Sequence, residues 1–105
     1  MRLAPAVLLT AALALTGCET MKSAADEAGR DASRAAVAEV IALHRPDVTK
    51  ASYDAHVDCT VANADAIEVR QLAKASVAGI GDAEIATVNS ILQRPGTAAC
   101  IRSKS

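Results

Sequence analysis

Hydrophobic positions divide the chain into three stretches of different character. From Leu3 to Leu15 they form an almost continuous run, interrupted by Thr10 and with Pro5 near its start. Between Glu19 and Ala36 the only large apolar side chain is Met21, set among alanines and interspersed charges. From Val37 onward valine, isoleucine and leucine return at helical spacing, so the folding unit is expected in the C-terminal two-thirds.

Val37, Val40, Ile41 and His44 recur at i, i+3, i+4 and i+7, which predicts a helix over residues 23–44 whose last two turns dock on the body and which Arg45-Pro46 stops. Asp47 and Thr49 offer caps for a second helix over 50–62 with Tyr53, Val57 and Val61 on one face. Asp65-Ala66-Ile67-Glu68 has the form of a capping box, predicting a third helix with Val69, Leu72, Ala73, Ser76, Val77 and Ile80 as its buried stripe, ended by Gly79 and Gly81. A fourth helix, capped by Asp82, carries Ile85, Val88 and Leu92 inward and stops at Arg94-Pro95-Gly96, with an irregular tail from Thr97. No stretch of useful length alternates with period two. The expected class is all-α: a small domain of three to four short helices containing an antiparallel helical hairpin, preceded by an alanine-rich helical tether.

Composition limits how much this body can bury. Hydrophobic residues make up 51% of the 105, but many are alanine, and Tyr53 is the single aromatic. Alanine favours helix yet removes little apolar area from water, so a covalent staple or a metal would matter to a domain of this size. The net charge is −1, and loss of the first 17 residues would take only Arg2 among the charged groups, enlarging the acidic excess by one. Without a contiguous Lys/Arg cluster or aromatic stacking platform, nucleic acid is not an expected partner.

The leader combines a short positive start, Met1-Arg2, with an apolar run too short for the about 20 residues of a membrane-spanning helix. It ends in Leu15-Thr16-Gly17-Cys18, which resembles the lipobox of bacterial lipoproteins. The resemblance covers residues 1–18 and implies removal of residues 1–17, a diacylglyceryl thioether on Cys18 and acylation of its new amino group, a covalent lipid rather than a cofactor. At about 0.8 kcal/mol per buried CH₂, two or three acyl chains hold a soluble body to a membrane. The competing reading makes Cys18 an ordinary thiol behind a Sec-type signal. In this family an Asp after the cysteine favours the inner membrane; Glu19 stands there, which implies the outer membrane and a periplasm-facing body. Three segments follow: the signal peptide 1–17, a lipidated tether 18–36 and the helical domain 37–105. The tether reads as solvated, with an alanine seam (Ala25, Ala28, Ala32, Ala35, Ala36) as the rival, and its opening Cys18-Glu19-Thr20 is similar to entericidin-type small lipoproteins.

With Cys18 lipidated, Cys59 and Cys100 remain, an even pair in an oxidising compartment and expected to be bridged. The third and fourth helices, folded back at Gly79-Ile80-Gly81, would bring the two together at the open end of the hairpin. A metal reading competes: His56-x-x-Cys59 with Cys100 offers three ligands, and Asp54, Asp58 or His44 would have to supply a fourth. Motifs of hydrolases, phosphate loops, zinc proteases and dinucleotide enzymes are missing from the sequence, as is Cys-x-x-Cys. Some lipoproteins attach to peptidoglycan through a C-terminal lysine; here Lys104 precedes Ser105. The reading is of a non-enzymatic envelope lipoprotein, a structural or protein-interaction module whose partner is another envelope protein. Its candidate contact surface is Val77 and Ile80, an apolar turn beside two glycines. The alternative is an inhibitor or immunity-type lipoprotein that inserts the same loop into a toxin or hydrolase.

Overall fold

Alanine and small polar residues make the first described helix thin enough to lie close to its neighbours. In the computed structural model, which describes residues 27–104, this helix, α1, covers residues 27–44. Its inner face is Ser33, Ala36, Val37, Val40 and Ile41, all fully or almost fully buried, and Ser33 satisfies its hydroxyl by donating to the Arg30 carbonyl (2.8 Å). Packing therefore begins before Val37: part of the segment expected to be a solvated tether lies against the body, because its small side chains permit close approach. His44 is exposed.

Arg45-Pro46 ends α1 as expected, and Arg45 clamps Asp47 with two hydrogen bonds, Nε to Oδ1 (2.9 Å) and Nη2 to Oδ2 (2.8 Å). Asp47 is thus held by arginine and does not cap the next helix. One 3-10 turn, Lys50–Ser52, leads into α2, Tyr53–Asn63. Val57, Cys59, Thr60 and Val61 are all buried, which places α2 at the centre of the domain. The Tyr53 hydroxyl donates to the Ala38 carbonyl (2.9 Å) and so pins α2 to α1.

Helix α3, Ala66–Ala78, starts with the expected capping box: Glu68 N–H donates to Asp65 Oδ1 (2.8 Å), and Asp65 N–H donates to Glu68 Oε1 (2.9 Å). It ends at Gly79, whose φ of 109° favours a residue without a Cβ. Helix α4, Asp82–Leu92, is capped at Gly81, whose N–H donates to Glu84 Oε2 (3.0 Å); Asp82 already lies inside the helix. The Thr87 hydroxyl donates to Gln71 (3.1 Å) while Arg94, further along, reaches back to Glu68, so α3 and α4 form the antiparallel hairpin.

The tail is not irregular. Residues Pro95–Lys104 form a further helix, α5. Proline is well suited to the first helical position, where its missing N–H would have no intrahelical partner, and Arg102 and Lys104 place positive charge at the C-terminal end of the dipole. Helix α5 packs on α2. Its first turn comes so close that a Cβ at Gly96 would lie 2.9 Å from Asn63 Oδ1. The core joins Val37, Val40 and Ile41 of α1 to Val57 and Val61 of α2, Val69 and Leu72 of α3, and Val88 and Ile91 of α4. Among the described residues there is no strand, and the all-α class holds.

Candidate functional site

Cys59 and Cys100 are bonded, with sulfurs 2.06 Å and Cα atoms 5.7 Å apart. The pair is the expected one, with Cys59 ahead of α3 and Cys100 beyond α4. Cys59 sits inside α2 and Cys100 inside α5, so the bond fastens the central helix to the last one and encloses the α3–α4 hairpin one helix further out at each end. What departs from the expectation is that Cys100 belongs to a packed helix and not to an irregular tail. Both sulfurs that the competing metal reading required are joined to each other. His56, its third ligand, donates from Nδ1 to the Ser52 carbonyl (2.8 Å), since a carbonyl oxygen can only accept. Among the described residues no group of three His, Cys, Asp or Glu side chains converges on one point.

Cys18, the expected leader before it and the first part of the expected tether lie outside the described residues, as does Ser105. No described helix is long and apolar enough to cross a membrane.

The two residues of the candidate contact surface part company. Val77 is 91% exposed, among the most exposed of the large hydrophobic side chains, whereas Ile80 is half-buried and packs on the core. Val77 therefore does not belong to the buried stripe of α3, which consists of Val69, Leu72 and Ala75; Ser76 is exposed as well. Sequence reasoning missed the face on which Val77 does lie. Ile67, 75% exposed, Arg70, Lys74 and Val77 follow one another at steps of three, four and three, which aligns them on one side of α3.

Two grooves flank the first turns of α1, both open to solvent. One, of about 350 Å³, runs between α1 and α3 over a floor of Gly29, Ala66, Val69 and Ala73, with Arg30, Arg70 and Lys74 around it. The other, of about 430 Å³, runs between α1 and α2 and mixes Glu27, Asp31 and Asp58 with Arg30 and Arg34. Here Arg34 pairs with Asp58, which Lys104 of α5 also approaches (3.6 Å). Charge is thus segregated: the α3 side of α1 carries cations only, the α2 side both signs.

A second ion pair ties the turns together. Arg94 donates through both terminal nitrogens to the Glu68 carboxylate, and through Nη1 to the Asn63 carbonyl (2.9 Å). The hydrogen bond to Glu68, with its negative charge, raises the Arg94 guanidinium above its ordinary pKa despite partial burial. These contacts organise the fold. Compared with known protein families, with curated proteins and with solved structures, the chain has no match in any of the three.

Proposed function

We propose that the chain is a bacterial envelope lipoprotein, anchored by lipid on Cys18 and facing the periplasm, with a non-enzymatic helical body that serves as a structural or protein-interaction module. The observation that carries the reading is the sequence Leu15-Thr16-Gly17-Cys18 at the end of a short apolar leader. Its support from the fold is indirect: the other two cysteines are bonded to each other, which leaves Cys18 as the odd thiol of the three. The small helical body carries two grooves open to solvent beside α1, a surface suited to contact with a macromolecule. By the rule for residues after the anchor, Glu19 directs the protein to the outer membrane.

Metabolic labelling with a palmitate analogue tests the anchor. The chain is expected to carry label, and Cys18→Ser to abolish it and leave the leader attached. An unlabelled wild-type chain retaining Met1 would overturn the proposal.

A further inference from the structure

We infer that the exposed face of α3, together with Arg30 of α1, docks on the anionic surface of the bilayer that anchors the chain, and so holds the body flat against phospholipid headgroups. The inference rests on the reading of Cys18 as the lipid anchor. Three observations lead to it. First, the face is positively charged in a chain whose net charge is negative. Arg70 and Lys74 have no ion-pair partner among the described residues, and Arg30 spends one hydrogen bond on the Val61 carbonyl (2.7 Å) while keeping its charge.

The neighbouring acids are turned elsewhere. Glu68, on α3 itself, is taken by Arg94; Asp65 caps the same helix; Glu27 and Asp31 line the groove on the other side of α1. Second, the cations stand between two exposed apolar side chains, Ile67 near one end of α3 and Val77 near the other. Long basic side chains can lay their stems over apolar ground and lift their charge to a phosphate, while the aliphatic groups sink to the headgroup boundary. Third, the groove begins at Gly29. Only eight residues lie between Cys18 and Glu27, so the body hangs at most about 30 Å of extended chain from an anchor at Cys18, close enough to touch the bilayer, where the attraction of an anionic surface for cations acts within about 10 Å.

The test uses the chain from residue 18 onward with Cys18→Ser, which carries no acyl group and retains every residue of the described core. Co-sedimentation is measured at low ionic strength with vesicles of phosphatidylglycerol and phosphatidylethanolamine, and with vesicles of phosphatidylcholine alone. Binding is expected on the anionic vesicles only. Arg70→Gln with Lys74→Gln, both at exposed positions, is expected to lower it about twenty-fivefold, from roughly a fivefold attraction per cation at such a surface. Equal binding to both vesicles, binding to neither, or binding indifferent to the double substitution would overturn the inference. So would a dimer, seen by analytical ultracentrifugation, that Val77→Asp dissociates, because it would assign the face to a second copy of the chain. Palmitate labelling without vesicle binding removes the docking face alone; vesicle binding without labelling removes the anchor alone.

Discussion

Arg94 grips Glu68 fork to fork, Nη1 at 2.8 Å from Oε1 and Nη2 at 2.5 Å from Oε2. The same Oε1 accepts the Asp65 N–H that closes the capping box of α3. One carboxylate therefore couples the start of α3 to the turn between α4 and α5. Lysine cannot reproduce the two parallel bonds. Arg94→Lys is expected to lower stability by about 1–2 kcal/mol in urea unfolding, a figure reduced for the partial exposure of the pair, and Glu68→Ala to lower it further because the cap is lost too. Equal effects of the two substitutions would contradict the shared role of Oε1.

The Cys59–Cys100 bond closes a loop with a sequence separation of 41, worth about 4 kcal/mol in the chain-entropy model. Replacing both cysteines by serine should remove stability of that order. In α5 only Thr97 is buried, and its hydroxyl oxygen has no hydrogen-bond partner among the described residues, so this helix depends on the bond more than its neighbours do. Hydrogen exchange after reduction is expected to lose protection first in α5 and last in α2.

Within α3, Leu72 and Val77 should respond in opposite ways. Leu72→Ala opens a cavity in the core and is expected to cost about 2–5 kcal/mol. Val77→Ala removes an exposed side chain and should change stability by less than about 0.5 kcal/mol. Thermal unfolding of the two variants checks the register of the helix.

Acid should act on the turn after α1. The Arg45 guanidinium, hydrogen-bonded to Asp47, lowers that carboxyl to about 2. A carboxyl depressed in the folded state contributes stability that is complete above its unfolded pKa of about 4 and is lost as pH falls toward 2. In an NMR titration Arg45→Gln is expected to return Asp47 to the ordinary carboxylate range and to remove this part of the acid dependence.

Much of the architecture could be read from local signals. The capping box at Asp65 and Glu68, the stops at Pro46 and Gly79, and the parity of Cys59 and Cys100 each report a constraint that neighbouring residues impose. The last helix was hidden because Pro95 ends one helix and begins another, and proline alone does not say which. Val77 was assigned to the wrong side of α3 because a run of apolar residues conceals a helix's rotation: five residues beyond Leu72, it points about 140° away. The basic face was illegible for a different reason. Arg30 stands forty residues from Arg70, and only the packing of α1 along α3 brings them to one groove. The proposed anchor is the reverse case, carried by sequence and lying outside the described residues.

The burial of Ser33 and Ala36, continuous with that of Val37, Val40 and Ile41, has a mechanical consequence. Tension applied at the amino end would run down the axis of a helix already wedged along its length. It would load those contacts in parallel, as shear, instead of peeling them off one turn at a time.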